Sequence, residues 1–300
     1  MTKPRIAILG LGIMGTGMAG RLLTANFPLT IFNRNPEKTK AFVDAGAFAA
    51  GSPREAASRA EIIISIVADD QASRAVWLGE NGALAGASPR SVLIESSTLT
   101  VTWIQELAAV AARHNCELLD APVTGTKSHA AAGELLFLVG GSSAALEKTR
   151  SVLAVLGRDA VHLGPNGSGA YLKLINNFLC GVQAASFAEA VSMIRAGGLD
   201  AEKSLQIITN GAPGSPLIKT ISARAAARDS STNFELQLMA KDIGYAVEEA
   251  ARNGVSLPTA KAALEEFQLA IHRGHGDKDF SAIITALQTS QNKEIIAPVT

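Results

Sequence analysis

Apolar residues follow two rhythms along the chain. In the first half they fall in short continuous runs at 5–9, 29–33, 62–67, 92–95 and 135–139. Unbroken runs of this kind suit strands covered on both faces of a parallel sheet. Between them lie amphipathic helical patterns at 14–25, 36–45, 100–114 and 144–156. Strands that alternate with helices predict βαβ units and a doubly wound, mainly parallel α/β sheet.

The rhythm changes at Leu163-Gly164-Pro165-Asn166-Gly167-Ser168-Gly169, a turn-rich stretch. From Ser168, read as an N-cap, a helical pattern runs to residue 196 with only Gly181 as a breaker before Gly197-Gly198. At 1.5 Å per residue this helix is about 43 Å long, more than the diameter of a small domain. Further helical patterns follow at 201–209, 216–227, 235–253, 258–273 and 281–288, and residues 293–300 read as a loose tail. The expectation is an α/β domain over 1–165 and an all-α domain over 166–300, joined by the long interdomain helix.

Composition narrows the functions open to such a chain. Its 300 residues are 47% hydrophobic and 18% charged, which suits two ordinary globular domains. Lys plus Arg and Asp plus Glu each count 27, and aromatics are 5%. A balanced chain of this kind has no electrostatic footprint for nucleic acid or an anionic membrane. Lys3, Arg5 and the apolar residues after them imitate a secretory leader, but regularly spaced glycines explain that run better, so a soluble, unprocessed chain is expected. Cys116 and Cys180 stand far apart in no CxxC pair, which predicts no disulfide framework and a reducing cytoplasm. None of the five histidines sits at metal-ligand spacing, so no metal site is expected. Arg224 and Arg228 read as charges on a solvated helix face.

Gly10-Leu11-Gly12-Ile13-Met14-Gly15 matches GxGxxG directly after a strand and before a helix. In the Rossmann pattern the first glycine permits the tight turn and the second lets backbone approach a pyrophosphate. The third allows close helix–strand packing, and the helix start offers N–H groups to the anion. At the end of the second strand stand Asn33-Arg34-Asn35, where an NAD enzyme places an acid for the ribose hydroxyls. A guanidinium there can pair with a 2′-phosphate, so NADP(H) is the predicted cofactor; the alternative is that Arg34 is a solvated loop charge.

Lys173 and Asn177 are four apart in the first turns of the long helix and share a face. Taken alone, the pair fits either an edge lysine beside a satisfied asparagine or an ammonium group held ready as a proton donor.

Several ordered motifs then resemble the β-hydroxyacid dehydrogenase family along nearly the whole chain. They are the glycine fingerprint, Glu95-Ser96-Ser97-Thr98, Asp120-Ala121-Pro122-Val123-Thr124-Gly125-Thr126-Lys127, Gly169 to Asn177, Lys241-Asp242 and Asp279-Phe280-Ser281. The resemblance implies a reductase in which Lys173 donates a proton to the carbonyl and Asn177 orients it. It places Val67, Thr98 and Lys241 near the cofactor, and Ser97, Thr124, Gly125, Thr126 and Lys127 at the substrate carboxylate. Gly125-Thr126-Lys127 is similar to the version found in glyoxylate/succinic semialdehyde reductases, whereas Ser128-His129-Ala130-Ala131-Ala132-Gly133 departs from that subfamily's usual continuation. A 3-hydroxyisobutyrate or tartronate semialdehyde type of dehydrogenase stays open. So does a dinucleotide-binding module without turnover. A homodimer or homotetramer is expected, associating through the long helix.

Overall fold

The structure, a computed structural model, describes residues 3–227 and 229–288; the tail expected at 293–300 and Arg228 lie outside them. The chain divides after Lys173 into two compact units, later than the boundary expected at residue 165.

The first unit is built on β1 (Ile6–Leu9), β2 (Leu29–Phe32), β3 (Phe48–Ala49), β4 (Ile62–Ser65) and β5 (Val92–Glu95). They are followed by β6 (Glu117–Asp120), β7 (Val123–Thr124), β8 (Leu135–Gly141) and β9 (Gly157–Gly164). The sheet runs β3-β2-β1-β4-β5-β6-β8-β7, with β9 paired to β8. Strands from β3 through β6 are parallel, and Ile6 lies level with both Leu29 and Ile62. β8 is antiparallel to β6 and β7 and parallel to β9. The chain reverses direction of winding between β1 and β4, the switch point at which such sheets bind ligands outside the carboxyl ends of their strands.

The continuous apolar runs became β1, β2, β4, β5 and β8 because those positions are buried on both sheet faces. β3, β6, β7 and β9 were not expected. β6 is four residues with an acid at each end, and β9 exposes most of its residues at the sheet margin, so neither carries an apolar run.

Helices α1 (Ile13–Thr24), α2 (Lys40–Asp44), α3 (Pro53–Ser58), α4 (Asp70–Trp77), α5 (Val101–Arg113), α6 (Lys127–Ala132) and α7 (Ser143–Leu156) complete this unit. Their starts obey capping chemistry: Ser52, Asp69, Thr100 and Ser142 each accept the N–H three residues on. The helix expected at 36–45 opens instead as a 3₁₀ turn over Pro36–Thr39, where Asn35 accepts the Glu37 N–H. The core packs Ile8, Met18, Leu22, Ile64, Phe137 and Leu153.

Helix α8 (Ser168–Ala196) starts in the first unit and continues in the second. α9 (Ala201–Asn210), α10 (Pro216–Ala226), α11 (Leu236–Arg252), α12 (Pro258–Ala270) and α13 (Ile283–Gln288) follow. Their core gathers Phe187, Met239, Ile243, Phe267 and Ile283. Gly181 does not break α8; a Cβ there would lie 2.5 Å from Ile243 Cδ1, so the glycine is what lets α11 approach. The pattern expected through residue 273 ends at Ala270, and a wider turn over Ile271–His275 closes with Gly274 at φ 80°. Arg224 is not on a solvated face: its side chain is 14% exposed and pairs with Asp229 at 2.8 Å. Among the described residues, no helix is long and apolar enough to cross a membrane.

Candidate active site

The glycine loop lies between β1 and α1, beside the switch point. Gly10 has φ +110°, and a Cβ on it would stand 2.2 Å from Ile66 O; one on Gly15 would stand 2.0 Å from Gly10 O. Only glycine fits either place, because the turn doubles back against β4 and α1 rests on the turn. A Cβ on Gly12 would meet nothing within 4 Å, so backbone faces open space at the start of α1. Ile13 and Met14, half-buried, form the first turn there, whose N–H groups have no partners within the helix. A helix start bared by glycine fits a dinucleotide pyrophosphate. Asn33, at the end of β2, accepts the Leu11 N–H at 2.9 Å and donates to Asn35 O at 2.8 Å. It fastens the glycine loop to the second strand and leaves Arg34 exposed beside it.

Along the sheet, the ends of β4 and β5 are tied together. The Val67 N–H donates to Ser97 Oγ at 2.7 Å, and Ser97 donates both its hydroxyl and its N–H to Glu95 Oε1, at 2.5 and 2.9 Å. Glu95 Oε2 accepts from Ser73 Oγ and Trp77 Nε1, each at 2.7 Å. With both donors spent on Glu95, Ser97 supports the loop in this arrangement and has neither N–H nor O–H left for a substrate carboxylate. Glu95 is fully buried, and among the described residues no cation pairs with it. Burial pushes its carboxyl above the ordinary range, and the hydrogen bonds from Ser97, Ser73 and Trp77 offset part of that rise. Thr98, half-buried, follows on the same loop.

The loop from Thr124 to Lys127 leaves β7 and enters α6. Gly125 takes φ +135°, a conformation that side chains disfavour. Thr126 donates its N–H to His129 Nδ1 at 3.0 Å, so His129 closes the start of α6 as a cap. Thr-x-x-His has the spacing of a capping box, the one signal in the sequence that could have revealed this role. α6 sits against α1 at Gly17, where a Cβ would come within 2.9 Å of Ala130. Lys127 is exposed at the first turn.

Asp120, at the end of β6, is completely buried. Its Oδ1 accepts the Gly167 N–H at 2.9 Å and its Oδ2 the Ala170 N–H at 3.0 Å. The carboxylate thus caps α8 from another strand, the role expected of Ser168. Burial raises the Asp120 carboxyl above its usual range, and the Gly167, Ala170 and Asn166 donors offset part of that rise. Lys173 follows on α8, half-buried, one turn beyond Ala170.

Asn177 and Lys241 belong to the second unit. Asn177 Nδ2 donates to Asp242 Oδ2 at 2.6 Å, while Lys241 Nζ lies 2.8 Å from Asp242 Oδ1 and 4.7 Å from the Tyr245 ring centre. The sequence pointed to Lys241; Asp242, 1% exposed, is the group that joins both predicted residues. Nothing local in Lys241-Asp242 connects the acid to Asn177, 65 positions away.

Comparison with known proteins gives the family. Residues 5–164 match the family model for the NAD binding domain of 6-phosphogluconate dehydrogenase. Residues 167–287 match that for the NAD-binding domain of NADP-dependent 3-hydroxyisobutyrate dehydrogenase. The NAD-dependent L-serine dehydrogenase of Pseudomonas aeruginosa is 36% identical, covering 96% of this chain and 99% of its own. The chloroplastic glyoxylate/succinic semialdehyde reductase 2 of Arabidopsis thaliana is 32% identical, covering 96% and 81%. A Mycobacterium tuberculosis 3-hydroxyisobutyrate dehydrogenase structure with L-serine superposes with TM-score 0.85 at 31% identity, covering 96% and 100%. A dinucleotide-binding sheet followed by a helical unit defines an NAD(P)-linked oxidoreductase acting on CH–OH groups. Within that class, the chain belongs to the β-hydroxyacid dehydrogenase family.

Proposed function

We propose that the protein uses NADPH to reduce small carboxylate-bearing aldehydes to hydroxyacids, with glyoxylate and succinic semialdehyde the leading substrates. The observation that carries this reading is Lys173, half-buried on a helix whose start is fastened to the sheet that bears the glycine loop. Reduced nicotinamide, when bound, supplies the hydride. Gly10, Gly12 and Gly15 open the backbone to the pyrophosphate, and Arg34, beside Asn33 and Asn35, pairs with a 2′-phosphate. Gly125 and Lys127 hold the substrate carboxylate, on the loop that Thr126 and His129 fasten to the start of α6. The Lys173 ammonium donates a proton to the carbonyl oxygen and stabilises the charge developing there. Asn177, one turn on along α8, orients that amine and is itself held by Asp242. Thr98 lies along the nucleotide.

A second reading is oxidation of a 3-hydroxyacid such as 3-hydroxyisobutyrate or L-serine, favoured by the relative whose name carries NAD-dependent L-serine dehydrogenation. Comparing kcat/KM decides between them, using glyoxylate, succinic semialdehyde and tartronate semialdehyde with NADPH and NADH, and L-serine with both oxidised forms. The proposal expects glyoxylate or succinic semialdehyde with NADPH to lead. L-Serine with NAD leading by about tenfold or more, some 1.4 kcal/mol, contradicts it. Association as a homodimer or homotetramer is part of the proposal, supported by the exposed apolar residues Met193, Leu199 and Ile207 of the second unit. A cytoplasmic setting completes it.

A further inference from the structure

The start of α8 is built around one buried acid. Two glycines make room for it: a Cβ on Gly140 would lie 2.5 Å from Asp120 Oδ1 and one on Gly169 3.0 Å from Asp120 Oδ2. A Cβ on Gly141 would meet Asn166 Nδ2 at 3.2 Å. That amide donates to Leu118 O at 2.9 Å and reaches Asp120 Oδ1 at 3.4 Å. β6 therefore grips both ends of the turn before α8, through its main chain at Leu118 and its carboxylate at Asp120. Gly169 also brings the helix against β8, where a Cβ would stand 2.1 Å from Leu138 O. The two N–H groups bonded by Asp120 belong to Gly167 and Ala170, so each carboxylate oxygen fixes one side of the first turn. A buried acid bound only by neutral donors is an expensive way to start a helix, since a serine or aspartate at the N-cap position serves with none of that desolvation. What the longer route adds is registry: the height and rotation of α8 are set by the end of a sheet strand, next to the strand ends that carry the nucleotide loops.

We propose that Asp120 is the positioning residue of Lys173. Resting on the reading of Lys173 as proton donor, it sets where the second turn of α8 carries the amine. Asp120 touches neither substrate nor cofactor; it acts through the helix. Small displacements matter here, because a misplacement of about 1 Å can cost about 10²-fold in rate.

The test uses Asp120→Asn, Asn166→Ala and Lys173→Ala, alone and combined, with the fastest substrate of the panel above. Asp120→Asn keeps the shape but turns one acceptor into an N–H facing a backbone N–H, so the first turn must move. It is expected to lower kcat about 10²-fold. NADPH affinity, read by protein fluorescence, should stay within about twofold of the parent. Added to Lys173→Ala, it should slow the enzyme no further, since nothing is left to position. Asn166→Ala loosens the same grip more gently, serves if Asp120→Asn does not fold, and should show a smaller loss with the same lack of additivity. A purely structural role predicts lower thermal stability with unchanged kcat per NADPH-binding site, or a loss of kcat that multiplies with that of Lys173→Ala; either result overturns the proposal. If Lys173→Ala collapses while both other variants keep full kcat, only the positioning role fails. If Lys173→Ala itself retains its rate, the proton-donor reading fails and takes this inference with it.

Discussion

The two units differ in whether a cation stands beside their buried carboxylates. In the first, Glu95 and Asp120 end neighbouring strands and are held by hydroxyl, indole, amide and peptide donors, with no cation bonded to either among the described residues. In the second, Asp242 pairs with Lys241 at 2.8 Å, and Asp279 has Arg224 at 3.6 Å. Neutral donors fix geometry without bringing in a second charge, which suits strand ends where loops must be held for an anionic nucleotide. An ion pair such as Lys241–Asp242, within one helix, leaves each charge dependent on its partner. Backbone and side chains are organised in both units: Asp120 and Asp279 take mainly backbone N–H groups, Glu95 mainly hydroxyls and an indole, and Asp242 the Asn177 and Lys241 side chains.

The largest effect that sharpens this contrast is expected at Asp242. Asp242→Ala removes the acceptor shared by the 17%-exposed Lys241 side chain and the buried Asn177 amide. Removing one partner of a buried pair costs about 3–5 kcal/mol, and partial exposure of Lys241 places the expectation at the lower end. Chemical denaturation measures it; a loss below about 1 kcal/mol, the worth of a surface pair, would break the contrast.

A smaller effect, distinguished by its pH dependence, is expected at Glu95. Its carboxyl is raised in the folded state, so in the window from the ordinary carboxylate range up to that raised value the native protein binds more protons than the unfolded chain. Glu95 therefore contributes stability that declines as pH rises. Glu95→Gln faces an N–H toward Trp77 Nε1 or the Ser97 N–H and is expected to cost about 1–3 kcal/mol. The gap between parent and variant should narrow as pH climbs from about 4. Denaturation across pH reads it directly, and a widening gap means the acid is held as an ion pair would hold it.

Sequence and structure agree where local pattern carries the physics. Ile62–Ser65 and Val92–Glu95 are apolar enough to declare strands, and Ser168–Ala196 keeps one helical period throughout. The GxGxxG turn was legible because its glycines answer steric demands within a few residues. β6 escaped notice since Glu117-Leu118-Leu119-Asp120 becomes a strand only by pairing with β5. The Asp120 cap was invisible for the same reason: its donors lie 47 and 50 positions along the chain. Ser97 was expected at the substrate because the motif names it, while its commitment to Glu95 depends on how the loop folds back.

The central claim is that Lys173 is the proton donor. The most direct measurement is the single-turnover rate of NADPH oxidation by Lys173→Ala at saturating aldehyde, with NADPH affinity determined on the same preparation. The account predicts a rate about 10²- to 10⁴-fold below the parent with the dinucleotide still bound normally. A folded variant that binds NADPH and keeps more than about half the parent rate contradicts it.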